Sequence, residues 1–143
     1  MATTNFKYVF EVIELASKAK TRQEKIDVLR KYESWALKDL LRGTYDNLVQ
    51  WSLPPGAPPY EPAAESSIPS TLHNQHKKFK YFVKGLTADQ LNPIKREKMF
   101  IDMLESVHPK DAELLILMKD KKPLAKTVTR KLVEEAFPNL IVK

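Results

Sequence analysis

Apolar residues recur three or four positions apart along most of the chain, which is the spacing of amphipathic helices. This spacing predicts a first helix over about residues 5–18. Thr21 with Glu24 three residues later has the pattern of a capping box and predicts the start of a second helix. A third helix is predicted over about 34–42, where Gly43 is a natural C-terminal stop. Its predicted core residues are Trp35, Leu37, Leu40 and Leu41.

The second half of the chain has the same periodicity. It predicts a fourth helix over about 71–84, ended by Gly85, and a possible cap at 87–90. Pro93 suits the first turn of a fifth helix, and His108-Pro109 separates that helix from a sixth, over about 109–120. A seventh is predicted over about 127–137. The predicted core residues of the fifth helix are Ile94, Phe100, Met103, Leu104 and Val107.

Residues 52–70 interrupt this pattern with six prolines, one glycine and several serines. Proline removes a backbone donor and restricts its predecessor, so we expect no regular structure here. The segment either wraps over the surface, forms a flexible linker, or acts as a proline-rich recognition ligand. We therefore predict an all-α bundle of about six or seven helices in a single domain, 1–143. The helical halves 5–51 and 71–143 are joined by this segment.

Length and composition narrow the class of protein. A chain of 143 residues with 43% hydrophobic content can form one globular domain with its own core. It has no cysteine, so disulfides and thiolate metal sites are excluded. No segment approaches the roughly 20 apolar residues that a membrane-spanning helix needs. We expect no membrane partner and a cytoplasmic location, the host cytoplasm if the protein is viral.

The charge of the chain is basic and uneven. The formal net charge is +6, and residues 71–92 have four lysines against one aspartate, whereas 52–70 have two acidic and no basic residues. A basic surface suits a polyanionic partner such as DNA, but the same excess also serves ordinary solubility. Charge alone leaves both interpretations open.

The turn at 119–131 is the strongest candidate binding site. It precedes a predicted helix whose start Thr127 or Thr129 can cap, and helix N-termini bind phosphate through free N–H groups. Lysines there would add affinity by releasing counterions. The alternative is a solvated basic loop with an ordinary cap. The cations that surround this helix start are Lys121, Lys122, Lys126, Arg130 and Lys131.

Further cations accompany other helices. Bases and aromatics alternate in HKKFKYF at 76–82, a pattern of single-strand binders, although at helical spacing its phenylalanines also suit the core. Lys38 and Arg42 lie one turn apart and share a helix face. The remaining candidate DNA contacts are Lys77, Lys78, Lys80, Lys84, Lys20 and Arg22.

Catalytic and metal-binding patterns are weak. His73 and His76 are three residues apart, but no third ligand has an evident place, so we expect no metal. No Ser/His/Asp arrangement and no glycine-rich phosphate loop stands out, so we expect no cofactor and no enzyme activity.

Two blocks of residues nevertheless resemble a known family. The order and spacing of these blocks resemble the N-terminal, all-helical DNA-binding domain of ATP-dependent DNA ligases, of the T-even bacteriophage type. The first block contains TRQEK (21–25), LKDLLR (37–42) and TYD (44–46), and the second contains DAELL (111–115), MKD (118–120) and VEEAFPNLI (133–141).

The resemblance implies a DNA-binding protein without ligase activity. In such ligases a nucleotidyltransferase core follows, whereas this chain ends two residues after Ile141 and has no Lys-x-Asp-Gly motif. The resemblance places the basic turn against the DNA backbone, although Lys122-Pro123 stands where the family has a glycine-containing turn. It also matches Lys38 and Arg42 to basic positions of the family.

The resulting hypothesis is non-specific duplex-DNA binding, with a preference for nicks or gaps as one version of it, as an accessory in phage DNA replication, repair or recombination. The alternative is a protein-interaction module that docks on a replication protein such as the sliding clamp.

Overall fold

Helices joined by loops make up the chain, with one long irregular segment near its middle. The computed structural model describes residues 8–85 and 90–141. Within these ranges no β-strand forms, so the all-α prediction is confirmed. The helices are α1 (Val9–Lys18), α2 (Arg22–Lys31), α3 (Trp35–Tyr45), α4 (Leu72–Gln75), α5 (Pro93–Ser106), α6 (Pro109–Lys119) and α7 (Arg130–Ala136), and a 3₁₀ helix (His76–Tyr81) directly follows α4.

Side-chain caps determine where several helices begin. Ser34 accepts a hydrogen bond from the Leu37 amide at 3.1 Å, and Asn92 precedes Pro93 at the first position of α5. Thr21 accepts one from the Glu24 amide at 3.1 Å, as predicted. The second half of the predicted capping box is wrong, because the Glu24 carboxylate accepts from the Lys20 amide instead.

Three predicted features at helix starts differ from the structure or lie outside the described residues. α7 begins at Arg130, three residues later than predicted, because 125–128 form a turn with buried Val128 as its anchor. The Val128 carbonyl accepts a 2.6 Å hydrogen bond from the Tyr45 hydroxyl. The start of the first predicted helix at residues 5–7 and most of the possible cap at 87–90 lie outside the described residues.

The hydrophobic core draws on both helical halves. α1 packs against α2 and α6, α3 packs against α6, and α2 packs against α7. α6 lies centrally, as its apolar composition predicts, and buries Leu114, Leu115 and Met118. Residues from α1 through the segment after α7 belong to one continuous cluster of buried side chains.

Two predicted core residues are exposed instead. Trp35 and Ile94 are 74% and 79% exposed. Trp35 is the first residue of α3 and Ile94 is the second residue of α5. The other predicted core residues of the two helices are buried.

Gly43 does not end α3. The helix continues to Tyr45, and Gly43 is buried within it. A Cβ atom at Gly43 would lie 2.6 Å from Cζ2 of Trp51 and 2.8 Å from Sδ of Met118. The glycine therefore allows close packing rather than a change of chain direction.

The predicted helix over 71–84 is also corrected. Only Leu72–Gln75 is α-helical, and the chain tightens into the 3₁₀ helix at His76. Three residues per turn bring positions 76, 79 and 82 onto one line. This line carries Phe79 and Phe82 into the core and leaves the intervening lysines outside.

The proline-rich segment lies against the helices as an irregular strap, which matches the wrapping alternative rather than a flexible linker. Besides the bonds of Ser52 to Phe82 and Arg96, its backbone is held at four further places along its length. These hydrogen bonds join Pro54 to Lys119, Gly56 to Asp120, Glu61 to Glu105 and Ser70 to Ser106. The strap thereby crosses the end of α6 and reaches the end of α5.

None of the helices in the described ranges is both long enough and apolar enough to cross a bilayer.

Candidate nucleic-acid interface

Lys121 holds the end of α3 rather than facing solvent. Its Nζ donates to the carbonyls of Gly43, Asp46 and Val49 at 2.7, 2.7 and 2.9 Å. Burial lowers the pKa of Lys121, and Arg130 adds to this effect while Asp46 opposes it. All three ammonium protons thus have acceptors within the protein, so the predicted phosphate contact at Lys121 would require these bonds to break.

The rest of the basic turn surrounds the start of α7. Thr129 caps this helix by accepting from the Leu132 amide at 3.3 Å. Thr127 instead donates its hydroxyl to the Ser17 carbonyl at 3.1 Å. α7 has only seven residues and its first turn already has a cap, which weakens the predicted phosphate seat. The exposed lysines of this turn are Lys122, Lys126 and Lys131.

All three of the predicted arginines have carboxylate partners, and that of Arg42 is described below. Arg22 makes a bidentate pair with Glu135, in which Nη2 donates to Oε1 at 2.8 Å and Nε donates to Oε2 at 3.1 Å. This pair raises the pKa of Arg22 and lowers that of Glu135. Arg130 lies 3.8 Å from Glu134 on the same helix. Lys20, the predicted DNA contact two residues before Arg22, is exposed.

Lys38 and Arg42 have different neighbours and different exposure, although both lie on α3. Lys38 is half-buried, lies 3.5 Å from Glu33, and is held over the rings of Trp35 and Phe137 at 5.1 and 5.6 Å. Arg42 is about half exposed, lies 3.8 Å from the buried Asp46 carboxylate and lines a surface groove. Only Arg42 joins the groove described next.

An open groove of about 530 Å³ lies between the end of α3 and the 3₁₀ helix. We call it the α3–3₁₀ groove. Its cationic rim consists of Arg42, Lys77 and Lys80. Its apolar floor consists of Val49, Trp51, Phe79 and Val83. The fold therefore brings together three predicted DNA-binding cations that lie up to 38 positions apart in the sequence.

The floor of the groove is fixed by close packing. Trp51 and Phe79 pack edge to face with ring centroids 5.8 Å apart, and the Trp51 indole N–H donates to the Gly43 carbonyl at 2.9 Å. Backbone hydrogen bonds connect residues 50–52 to residues 82–84: the Ser52 amide donates to the Phe82 carbonyl, and the Lys84 amide donates to the Gln50 carbonyl. The groove is thus a preformed feature of the fold.

A histidine–carboxylate pair forms part of the groove lining. His76 Nδ1 lies 2.5 Å from Oδ2 of Asp39, which joins the 3₁₀ helix to α3. The sequence pattern had paired His76 with His73 as a weak metal motif and had not indicated Asp39. No group of three potential metal ligands occurs among the described residues.

Lys77 and Lys80 form no ion pair with a carboxylate within 8–85 and 90–141. Lys78 and Lys84 are also exposed and lie on the same chain segment just outside the groove lining. Of these five cations, Arg42, Lys77 and Lys80 line the groove beside its apolar floor. Sequence reasoning identified each cation separately, but no signal in the sequence placed Trp51 or Val49 beside them.

Comparison with protein families gives one match, to the family described as "Family of unknown function (DUF6433)". The match covers residues 12–125, most of the chain. All the residues that line the α3–3₁₀ groove fall within it, whereas Lys126, Arg130 and Lys131 lie beyond it. Comparison with curated proteins gave no match.

Proposed function

The chain belongs to DUF6433, a family of unknown function, and we propose from its own surface that it binds the phosphate backbone of duplex DNA without catalysis. The observation that supports this proposal is the cationic rim of the α3–3₁₀ groove. Arg42 comes from α3, while Lys77 and Lys80 come from the 3₁₀ helix, and the fold turns all three to one opening. The proposed role is that of a non-specific accessory in DNA replication, repair or recombination, as the ligase resemblance implies.

Phosphate binding of this kind depends on exposed charge rather than on base contacts. Five exposed cations lie in or beside the groove, namely Arg42, Lys77, Lys78, Lys80 and Lys84. Each phosphate neutralised contributes about 0.9 to the slope of log affinity against log salt, so full engagement gives a slope near −4.5. Lys122, Lys126 and Lys131 form a second exposed cluster, which adds to the slope if the duplex reaches it.

A salt series tests the proposal. Fluorescence anisotropy with a labelled 20-base-pair duplex measures the slope for the parent and for the triple variant Arg42→Gln, Lys77→Gln and Lys80→Gln. We expect the triple variant to flatten the slope by about 2.7 and to weaken binding of all sequences alike.

The matched control removes three exposed cations elsewhere, with Lys31→Gln, Lys95→Gln and Lys98→Gln. Because it has the same net charge as the groove variant, it separates a local site from overall attraction. Equal losses in the two variants would contradict the groove as the binding site. Absence of salt-dependent binding by the parent would contradict DNA binding itself.

A second candidate function is protein interaction, favoured by Trp35. This side chain is 74% exposed, and the Lys38 ammonium lies 5.1 Å from its ring centre. Exposed tryptophans with a fixed orientation are common anchors of protein interfaces. The partner considered is a replication protein such as the sliding clamp.

Capture from a host lysate with and without nuclease distinguishes the two functions. A protein partner that survives nuclease and is lost on Trp35→Ala supports this second candidate. Ile94→Ala, at another exposed apolar position, is the control. A partner lost on nuclease treatment is bound through nucleic acid and argues against it.

A further inference from the structure

The α3–3₁₀ groove has an apolar floor that contact with phosphates does not require. Phosphates bind to exposed cations on any convex or flat surface, and the rim alone provides these. The floor adds Val49, Trp51, Phe79 and Val83, which are more buried than the exposed cations of the rim. In an intact duplex the bases are stacked inside the helix, so their apolar faces cannot reach such a recess.

We propose that the groove receives one unpaired nucleobase, with the neighbouring phosphates on Arg42, Lys77 and Lys80. This inference rests on the proposed function and specifies the form of DNA that the site selects. That form is duplex carrying an unpaired nucleotide, as at a gap. The groove volume of about 530 Å³ lies in the range of roughly 300–1,000 Å³ found for pockets that bind small molecules.

The groups around the recess suit a base and its backbone. The apolar floor offers contact to the ring, and the planar Arg42 guanidinium, about half exposed at the rim, can lie against its face. Lys77 and Lys80 stand on the same rim and suit the charges on either side of the base. The carboxylate of Asp39 also belongs to the groove lining, where it is hydrogen-bonded to the His76 ring.

The preformed floor also favours this ligand energetically. Trp51 is fixed by its hydrogen bond to Gly43 and by its edge-to-face contact with Phe79. A recess that is already shaped loses little side-chain entropy when it is filled. The unpaired base needs no extrusion from the duplex, so it does not meet the unstacking cost that limits flipped bases.

The test compares three labelled substrates of equal length. They are an intact duplex, a duplex with a three-nucleotide gap, and the same gap with abasic residues at the unpaired positions. The two gapped substrates have the same phosphates, so they differ only in their bases. We expect the parent to bind the base-containing gap roughly tenfold more tightly than the abasic gap.

Val83→Phe fills the recess without changing any charge. We expect it to bring the ratio between the two gapped substrates close to one, while affinity for the abasic gap changes less than about twofold. Val28→Phe, at another partly buried valine that lines a surface hollow on α2, is the matched control and keeps the ratio. If Val83→Phe does not fold by circular dichroism, Val49→Phe replaces it.

A second measurement does not depend on filling the recess. In Trp35→Phe, Trp51 is the only remaining tryptophan, so its fluorescence reports on the groove floor. We expect the base-containing gap to change this fluorescence and the abasic gap to leave it unaltered.

The outcomes separate the inference from the proposed function. Equal affinity of the parent for both gapped substrates, with salt-dependent binding retained, overturns the base site but leaves phosphate binding in place. Loss of binding to all three substrates overturns both. A free nucleoside monophosphate that competes as well as the gapped duplex would make the groove a small-molecule site and would also overturn the inference.

Discussion

At the scale of single residues, Gly43 shows how one atom determines the groove. A Cβ there would lie 2.6 Å from Trp51 and 2.8 Å from Met118, both well inside normal contact. Because α3 and Met118 are part of the core, the neighbours cannot simply turn away. We expect Gly43→Ala to lower the free energy of unfolding by about 1–3 kcal/mol despite the better helix propensity of alanine. Urea denaturation measures this, and unchanged or higher stability would show that Trp51 moves freely. Gly56→Ala provides a contrast, since nothing lies near a Cβ there but its φ of +83° disfavours alanine.

At the scale of elements, the end of α3 is held by Lys121 from the turn after α6. Its ammonium group donates hydrogen bonds to three carbonyls, so Lys121→Met leaves all three without this donor. We expect a loss of about 2 kcal/mol in the free energy of unfolding, since hydrogen bonds to charged groups contribute more than neutral ones. The neighbouring exposed Lys122→Met is the matched control and should leave stability unchanged. If Lys122 contacts phosphate, Lys122→Met should flatten the salt slope of DNA binding, whereas Lys121→Met should change it less. A stable Lys121→Met variant with weaker binding would restore the original phosphate-contact interpretation of Lys121.

At the scale of the whole molecule, Asp111 joins the two helical halves. It is buried on α6 and accepts a 2.8 Å hydrogen bond from the Phe10 amide of α1, while its Oδ2 has no partner among the described residues. Burial raises the pKa of Asp111 to about 7, and the charge of Glu11 adds to this while backbone hydrogen bonds from Phe10 and Val9 oppose it. The folded protein therefore keeps a proton on Asp111 that the unfolded chain has already lost above its ordinary pKa of 3.8. Stability from this group is present below pH 4 and falls as pH rises toward 7, by roughly 1.4 kcal/mol per pH unit.

Asp111→Asn tests this dependence, because asparagine resembles the protonated carboxyl and does not titrate. We expect the variant to gain stability relative to the parent between pH 5 and pH 7, with little further change above pH 8. Chemical denaturation at several pH values measures the difference. Parallel stability curves for parent and variant would mean that Asp111 has an ordinary pKa.

Local features of the sequence determined the helices and their polar starts. Thr21, Ser34 and Pro93 act on their nearest backbone neighbours, so their effect can be inferred without knowing the fold. The same holds for the irregular 52–70 segment, where proline prevents regular hydrogen bonding. The exposure of Trp35 could not be inferred this way, because helical spacing gives a face but not whether a neighbouring helix reaches its end.

The α3–3₁₀ groove was decided only by the tertiary structure. Arg42, Lys77 and Lys80 were each recognisable as surface cations, yet nothing local places them at one opening or sets Trp51 and Val83 beneath them. Lys121 is the opposite case, because it belongs to a basic turn in the sequence but donates hydrogen bonds to carbonyls at the end of α3 in the fold. Charge is a property of the residue, whereas its availability to a partner depends on which distant groups the fold brings within hydrogen-bond distance.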